Sequence, residues 1–419
     1  MNFEELLKGK ACDCGMTHTC SVKHIIIGRN ANEKLGGLLG DYRKILLVAD
    51  TNTYATCGDV IKAQIGDKLE NLLIYQRDGL LIPNEEAGEE MNAKLTDETD
   101  LIVGIGSGVI QDTCKYVSHK AKLPYAIVAT APSMDGYASV GAAMIWGGMK
   151  VTYNAHVPEI IIGDIDVLKD APMEMIKSGY GDILGKYSCL NDWKLAKIVR
   201  GEYFCQYVYD LTMDMVLRTR DLGEKLLARD PEAIGTLMEA IIGVGVAMAF
   251  VGNSRPASGS EHHLSHYFEI VGILRDEPYF MHGTDVVYSS VYTQRIREQL
   301  LKLEAPKANV TLSREAREKQ VRAIYGKIAD SVIALQDKTG WYEEDRFAIY
   351  SEKWAEIREI LAEAPSSEDM MGYIKSIGLD LAEFDAMYGK EKIDGALKFG
   401  KDLKDRYSVL WMYYDLLVS

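Results

Sequence analysis

Short apolar runs rich in β-branched residues recur along the first 166 residues and alternate with amphipathic stretches. Most of the runs are closed by Gly, Asp or Thr, and they read HIIIG (24–28), KILLVAD (44–50), NLLIYQ (71–76), DLIVGIG (100–106), PYAIVAT (124–130) and EIIIGD (159–164). Such runs are typical of strands that are buried on both faces of a parallel sheet. The stretches between them have helical periodicity, so the pattern predicts an α/β architecture with a mostly parallel sheet.

The strand pattern stops after about Leu168, and helical periodicity continues to the end of the chain. We therefore predict an α/β domain over 1–167 and an all-α domain over 168–419. No Pro- or Gly-rich linker separates the two stretches, which favours domains that pack closely and share a cleft. Aromatic residues at helical spacing in the last hundred residues are typical of core and subunit-packing positions.

Composition and charge narrow the function classes. The 419 residues carry 62 acidic against 47 basic side chains, a net charge of −15, which argues against nucleic acid and anionic membranes as partners. We see no apolar run close to ~20 residues, so we predict no membrane insertion. The N-terminus has no signal-peptide pattern and the seven cysteines are unevenly spread, which together favour a reduced, cytoplasmic protein.

The N-terminal segment holds three cysteines and a histidine within nine residues. Cys12, Cys14, His18 and Cys20 are residue types that bind zinc, but the C-x-C spacing departs from the usual C-x-x-C knuckle. A plain turn with thiols is therefore the default interpretation, and a structural metal site is the alternative.

A glycine-rich turn, Gly104-Ile-Gly106-Ser-Gly108, follows the fourth apolar run and leads into an amphipathic stretch that contains Asp112. Glycines let the backbone approach a pyrophosphate, and the helix N-terminus offers amides and a positive dipole. The turn is not G-x-G-x-x-G, so a tight strand–helix connection stays the alternative. Asp50, at the end of the second run, either accepts a bond from a ribose hydroxyl or caps the next helix.

A second loop, Ala129-Thr-Ala-Pro-Ser-Met-Asp-Gly-Tyr-Ala-Ser139, follows the fifth run. Small hydroxylated residues surround one carboxylate there, and loops at the carboxyl ends of strands are where open α/β sheets bind ligands. Asp135 by itself would be interpreted as a turn residue.

Four of the eight histidines fall within 25 residues, in SGSEHHLSHYFEIVGILRDEPYFMH (258–282). His262 and His266 stand about 40° apart on a helix, whereas His263 is turned by about 100° from His262. Two histidines on one face and a third, His282, after a short connection are typical of a divalent metal site. A solvated, histidine-rich helix surface is the alternative.

Such a site needs one more ligand from elsewhere in the chain. Asp182 lies among glycines in GYGDILGK, where the glycines indicate a close approach, and it is our candidate for a carboxylate ligand. Arg255, just before the histidines, either meets a substrate phosphate or pairs with Glu261, and the sequence does not choose between the two.

The motifs GSGVIQDTCKY, TAPSMDGYAS, SGYGDILGK, SGSEHHLSHYFE and MHGTD together resemble the bacterial-type sn-glycerol-1-phosphate dehydrogenase family. That family is part of the superfamily of iron-containing alcohol dehydrogenases, glycerol dehydrogenases and dehydroquinate synthases. The resemblance extends from about Val22 to Arg295. It implies a Rossmann-like N-terminal domain and an all-helical C-terminal domain.

The resemblance also implies roles for individual residues. Metal ligands would be Asp182, His262 and His282, while Asp135, Asp182 and His266 would contact substrate, and Asp182 and His266 would act in catalysis. The residues implied to bind a nicotinamide dinucleotide, NAD(P)H, are Asp50, Gly106, Ser107, Gly108, Val109, Ile110, Gln111, Asp112, Thr130, Ala131, Pro132, Ser133 and Ser139.

The activity implied by the resemblance is the reduction of dihydroxyacetone phosphate to sn-glycerol 1-phosphate, for lipid synthesis. One divalent ion per subunit is implied, zinc or nickel, with iron in distant relatives, and a homodimer by analogy with the superfamily. Two alternatives stay open: a metal-dependent dehydrogenase of another small polyol or phosphorylated ketose, and a lyase similar to dehydroquinate synthase.

Overall fold

The computed structural model describes residues 1–76, 81–147, 149–309 and 312–418. The strands are β1 Lys10–Ala11, β2 Thr17–His18, β3 His24–Gly28, β4 Ile45–Asp50, β5 Leu69–Tyr75, β6 Leu101–Gly106, β7 Tyr125–Ala129, β8 Gly141–Trp146, β9 Met149–Asn154 and β10 Ile160–Asp164. The helices are α1 Phe3–Leu7, α2 Leu35–Leu38, α3 Thr51–Ile65, α4 Glu85–Asn92, α5 Gly108–Ala121, α6 Ile165–Leu168, α7 Met173–Arg200, α8 Gln206–Thr219, α9 Gly223–Leu227, α10 Pro231–Val251, α11 Ser260–Arg275, α12 His282–Leu301, α13 Arg314–Tyr325, α14 Ala329–Thr339, α15 Phe347–Ala362, α16 Ser367–Ser376, α17 Leu381–Phe399 and α18 Val409–Leu416.

The six predicted apolar runs form one sheet. Its order is β3-β10-β7-β6-β4-β5, and every pairing within it is parallel. The four central strands, β10, β7, β6 and β4, are buried, as is typical of parallel sheets covered by helices, while the edge strands β3 and β5 are mostly half-buried. One such core packs Leu35, Ile61 and Ile65 against alternate strand residues, including Leu47 and Val103. The prediction of a mostly parallel sheet followed by an all-helical region is confirmed.

The order of the strands places a topological switch point at β4. The chain leaves β4 towards β5 on one side and returns to β6 on the other. In open α/β sheets, ligands bind outside the carboxyl ends of the strands at such a point. Asp50 ends β4 and Gly106 ends β6, so both lie at this edge of the sheet.

Two antiparallel hairpins are additional to the prediction. Strands β8 and β9 pair from Gly141↔Asn154 to Trp146↔Met149, and β1 pairs with β2 through Lys10↔His18 and Ala11↔Thr17. Strand β9 reads MKVTYN and alternates apolar and polar residues, a strand signal that the prediction did not use, whereas β8 shows no such alternation and β1 and β2 are only two residues long each.

Packing divides the chain into two units. The first holds Met1–Ile183 and Leu217–Ser254, and the second holds Leu184–Val216 and Arg255–Ser419. Helix α7 therefore begins in the first unit and ends in the second, and the described part of the second unit is helical. The assignment of a dinucleotide-binding domain to 1–167 and of a metal- and substrate-binding domain to 168–419 stays a prediction.

Contrary to the prediction from the sequence, one helix, α10, is a long apolar segment. It spans Pro231–Val251 and is long and apolar enough, by length and composition, to cross a membrane. Most of its side chains are nevertheless buried in the first unit, where it packs against β3. Asp230 caps its N-terminus and Gly252 ends it in the left-handed conformation, so it has the caps of a core helix.

Candidate functional site

The turn between β6 and α5 leads into a helix N-terminus that has no side-chain cap from Ser107. The Ser107 side chain accepts no hydrogen bond from the first-turn amides of α5, and no acidic residue lies in that turn. Added to Gly106, a Cβ would lie 2.5 Å from the Cβ of Ile110, whereas at Gly108 it would meet nothing nearer than Met134 Cγ at 3.7 Å. Gly106 is therefore required for packing α5 on its strand, whereas a Cβ at Gly108 would make only an ordinary van der Waals contact with Met134.

Asp50 caps helix α3. Its Oδ1 accepts the Thr53 amide at 2.8 Å, and its own amide donates to Thr53 Oγ1 at 3.0 Å, a reciprocal capping box. The alternative considered for Asp50 is thus present in the structure. A contact with a ribose hydroxyl stays a prediction for this carboxylate.

A buried lysine of α5 forms hydrogen bonds that hold the loop after β7. Lys115 Nζ donates to Gly136 O at 2.9 Å, to Gly141 O at 2.8 Å and to Ser139 Oγ at 3.2 Å. Burial lowers the pKa of Lys115, and Asp112, 3.7 Å away, offsets part of that effect. One buried ammonium group therefore binds two backbone carbonyls and one hydroxyl of the loop.

Two further contacts hold the same loop. Gln111 Nε2 donates to Tyr137 O at 2.9 Å, and Tyr137 Oη donates to Ala131 O at 2.8 Å. Thr130 donates its amide to Gly106 O at 3.1 Å, which joins the loop to the turn after β6. The residues predicted to line the dinucleotide at Gly106–Asp112 and Thr130–Ser139 thus belong to one hydrogen-bonded region.

Helix α7 approaches this loop closely. A Cβ on Gly179 would lie 1.8 Å from Pro132 O, so any other residue there would push the helix from the loop. One turn further along, Asp182 Oδ2 accepts the Asp135 amide at 3.0 Å. The glycines around Asp182 are explained by this approach, and Asp135 contributes its backbone amide to Asp182 whatever its side chain binds.

The imidazole group, His262, His266 and His282, lies at the N-termini of α11 and α12. The ring centroids are 5.1 Å apart for His262 and His282, 5.5 Å for His266 and His282, and 6.0 Å for His262 and His266. His262 is buried, while the other two are partly exposed. A solvated histidine-rich surface is inconsistent with this convergence.

Glu261 orients the first imidazole. Its Oε1 lies 2.6 Å from His262 Nδ1 and also accepts the Gly259 amide at 2.8 Å. Because a carboxylate oxygen accepts, Nδ1 carries the proton and Nε2 keeps a lone pair for a ligand. Burial raises the pKa of Glu261, but the hydrogen bonds from His262 and Gly259 outweigh it and hold the pKa below its ordinary value.

Contacts around the first turn of α12 position His282. Ser265 Oγ lies 3.5 Å from His282 Nδ1 and donates to His282 O at 3.4 Å. Asp285 accepts from Tyr388 Oη at 2.8 and 2.9 Å, and Tyr388 stacks on Phe268 of α11. These contacts join α17 and α11 to the turn that begins with His282.

Two overlapping sets of donor atoms surround His282. One atom each from Asp182, His262 and His282 lies within 4.8 Å of the others, and so do atoms of His266, Glu269 and His282. The first set, which we call the ligand group, has one carboxylate oxygen and two imidazole nitrogens. It fits a divalent transition metal that keeps an open coordination position, as catalytic zinc sites do. The hydrogen bond from His262 Nδ1 to Glu261, which leaves Nε2 for a metal, is a feature that such sites share.

Two residues next to the imidazole group, His263 and Arg255, lie in different surroundings. His263 is fully buried, and its ring nitrogens have no hydrogen-bond partner in the described parts of the chain. Arg255 pairs with Glu202, its Nε lying 2.8 Å from Oε1, and donates to Tyr407 O at 2.9 Å. Arg255 is thus engaged by Glu202, and its contact with a substrate phosphate stays a prediction.

Sequence reasoning gave no role to several residues that order this region. Asp192 accepts the Ser260 amide at 2.6 Å and Arg297 Nη2 at 2.7 Å, and all three are buried beneath the start of α11. Lys115 lies in the motif GSGVIQDTCKY and Glu261 in SGSEHHLSHYFE. Only their buried contacts show that Lys115 holds the loop after β7 and that Glu261 orients His262. A charged residue next to a ligand candidate is the one signal that could have indicated Glu261.

Comparison with known proteins supports the same interpretation. Residues 26–172 match the family model described as iron-containing alcohol dehydrogenase. A glycerol-1-phosphate dehydrogenase (NAD(P)+) of Halalkalibacterium halodurans is 33% identical over 301 residues, 69% of this chain and 75% of the relative. Those of Geobacillus thermodenitrificans and Geobacillus stearothermophilus are 30% and 28% identical, over 88% and 99% of this chain and 86% and 98% of theirs.

Solved structures share the fold at low identity. The iron-containing alcohol dehydrogenase of Thermococcus thioreducens is 15% identical with a TM-score of 0.60, over 94% of this chain and 92% of that one. Sulfoacetaldehyde reductase of Bifidobacterium kashiwanohense, solved in complex with NAD+, is 12% identical with a TM-score of 0.60, over 97% and 98%. The motifs, the fold and the extended similarity to curated relatives agree: this chain belongs to the glycerol-1-phosphate dehydrogenase family.

Proposed function

We propose that this protein reduces dihydroxyacetone phosphate to sn-glycerol 1-phosphate with NADH or NADPH, supplying a backbone for lipid synthesis. The proposal rests on family membership together with one observation, the convergence of Asp182, His262 and His282 beside His266. The reaction adds a hydride to the carbonyl carbon and a proton to its oxygen, and oxidises one nicotinamide per ketone.

The ligand group would hold the metal. A divalent ion bound there supplies a Lewis acid for the carbonyl oxygen, and a reduced nicotinamide supplies the hydride. Asp182 would contribute the one negative charge among the three ligands, which lowers the net charge of the site. Glu261 keeps His262 in the tautomer that has a lone pair on Nε2.

His266 is the proposed proton donor. It is partly exposed, so it can exchange protons with water, and its ring lies 5.5 Å from that of His282. An imidazole at this position can hold a proton for the oxygen that gains negative charge during reduction. The Asp135 carboxylate is proposed to accept a hydrogen bond from a substrate hydroxyl. Its backbone amide donates to Asp182.

The turn after β6 and the loop after β7 would bind the dinucleotide. The first-turn amides of α5 suit a pyrophosphate, and the backbone of Thr130–Ser139, held by Lys115, suits the ribose and nicotinamide. The metal is proposed to be zinc or nickel, since an oxygen and two nitrogens suit both ions. We also propose a cytoplasmic homodimer, which light scattering would test against the 46.7 kDa mass of one chain.

A two-substrate assay tests the proposal. Protein purified without chelator is given dihydroxyacetone phosphate or free dihydroxyacetone, each with NADH and with NADPH. We expect steady oxidation of cofactor with the phosphorylated ketone only, and a product that sn-glycerol-3-phosphate dehydrogenase does not oxidise.

Other outcomes identify the alternatives. Equal rates with the unphosphorylated ketone would indicate a polyol dehydrogenase. A lyase similar to dehydroquinate synthase uses its nicotinamide only transiently, so the absence of net cofactor oxidation with either ketone would contradict the proposal.

A further inference from the structure

The N-terminal hairpin, residues 10–18, has no part in the proposed reaction, yet it gathers zinc-binding side chains. The Cys12 amide donates to Met16 O at 3.0 Å and the Gly15 amide donates to Cys12 O at 3.0 Å, which closes the turn between β1 and β2. Gly15 has a φ of +87°, which glycine adopts without strain. The turn carries Cys12 and Cys14, and the returning strand brings His18 beside them.

The ring of His18 is oriented as a ligand. His18 is fully buried, and its Nδ1 lies 3.0 Å from Phe250 O, a carbonyl in the last turn of α10. Because a carbonyl oxygen can only accept, Nδ1 carries the proton and Nε2 keeps its lone pair. Metal-binding histidines commonly donate their other ring nitrogen to a backbone carbonyl in this way, which fixes the tautomer.

The Nε2 atom of His18 faces a sulfur atom. His18 Nε2 lies 3.4 Å from Cys14 Sγ. Zinc–sulfur and zinc–nitrogen bonds of about 2.3 and 2.05 Å at a tetrahedral angle put two such ligand atoms about 3.6 Å apart. The observed separation is therefore close to the edge of a zinc tetrahedron.

The same group has a fourth potential ligand. Atoms of Cys12, Cys14, His18 and Cys205 all lie within 4.8 Å of one another, whereas Cys20 is not part of this group. Three thiols and one imidazole are the composition of a structural Cys₃His zinc site, in which four protein ligands leave no open position. Thiolate ligands favour zinc over magnesium or calcium.

We propose that this group binds one structural zinc ion, separate from the ion at the ligand group. Binding deprotonates each thiol that becomes a ligand, so protons are released as zinc is taken up. The C-x-C spacing differs from the C-x-x-C of common zinc knuckles. Here the fold of the hairpin brings the ligand side chains together. This site does not depend on the proposed reaction.

Metal content tests the proposal. In protein purified without chelator, we expect one zinc per chain that His262→Ala retains and Cys14→Ser loses. Cys20→Ser is the matched control, since it removes a nearby thiol outside the group and should leave zinc content unchanged. A folded Cys14→Ser protein with the zinc content of the unmodified chain would overturn the proposal.

Cobalt substitution gives a second readout that needs no unstable variant. Cobalt bound at the cysteine group should give thiolate-to-cobalt charge-transfer absorption, because the ligand group near His282 contains no sulfur. We expect the absorption in the unmodified chain and in His262→Ala. Its absence from both cobalt-loaded proteins would contradict the site, and inactivity with dihydroxyacetone phosphate would leave this result unaffected.

Discussion

The loops after β6 and β7 and the imidazole group of α11 and α12 are ordered by different kinds of contact. The loops depend on main-chain groups, since Lys115 and Gln111 bind carbonyls of Gly136 and Tyr137. The imidazole group depends on side chains that orient other side chains, as Glu261 does for His262. The loops also pack closely against glycines, so bulk added at those glycines should damage the loops. Changes that remove one polar atom should instead damage the imidazole group.

The largest expected effect is the loss of a proposed metal ligand. Asp182→Ala and His262→Ala should each reduce metal occupancy at this site and lower kcat/KM by more than about 100-fold, the upper range for removing a residue that only orients a metal ligand. Metal analysis and steady-state rates measure both effects.

Glu269→Ala is the matched control for the ligand assignment. Glu269 belongs to the second set of donor atoms around His282 and should keep normal metal content. Loss of metal from Glu269→Ala, with normal content in Asp182→Ala, would move the site to His266, Glu269 and His282.

His266→Ala should separate chemistry from metal binding. We expect unchanged metal content and a fall in kcat of about 10²- to 10⁴-fold, the usual contribution of a general acid. His263→Ala is the comparison, because that ring faces the protein core, and its effect on kcat should be mild. Metal loss in His266→Ala would instead make His266 a ligand.

Glu261→Gln should weaken metal binding by about 10- to 100-fold. The substitution keeps the volume but removes the charge that stabilises the proton on His262 Nδ1. Titration with a metal-ion buffer measures the affinity. An affinity equal to that of the unmodified protein would show that His262 needs no orienting carboxylate.

A pair of glycine substitutions tests the loops with the smallest expected effect. Gly106→Ala should destabilise the protein by about 1–3 kcal/mol, because the new Cβ would overlap Ile110. Gly108→Ala should keep stability, since its Cβ makes only an ordinary van der Waals contact with Met134, and should raise KM for NAD(P)H because it adds a methyl group to the turn proposed to bind the pyrophosphate. Thermal unfolding and cofactor titration distinguish the two, and equal loss of stability would contradict the packing argument.

The sequence predicted what periodicity and residue type can reveal. All six strands of the sheet were identified, because β-branched runs closed by turn residues are distinctive. The same reasoning selected His262, His266 and His282, whose side chains converge. It also set His263 apart, and that ring is buried away from them.

The sequence left two local alternatives open and did not indicate contacts between distant residues. A cap formed by Asp50 and a tight connection after β6 were considered only as alternatives, and the structure shows both the cap and the packing of Gly106 on Ile110. The pairing of Arg255 with Glu202 joins residues 53 positions apart, and no local pattern indicates it. Helix α10 was not counted as one long apolar run because Glu232, Thr236 and Glu239 interrupt its first half.

The hydrogen bond from the Asp135 amide to Asp182 has a thermodynamic consequence. The carboxylate proposed to bind the ion and the loop proposed to bind the nicotinamide share this bond, and Gly179 holds them in contact through Pro132. A shift of the loop on cofactor binding would change the electron density that Asp182 offers. By linkage, any such gain in metal affinity is matched by an equal gain in cofactor affinity, so neither ligand's dissociation constant is a property of its own pocket alone.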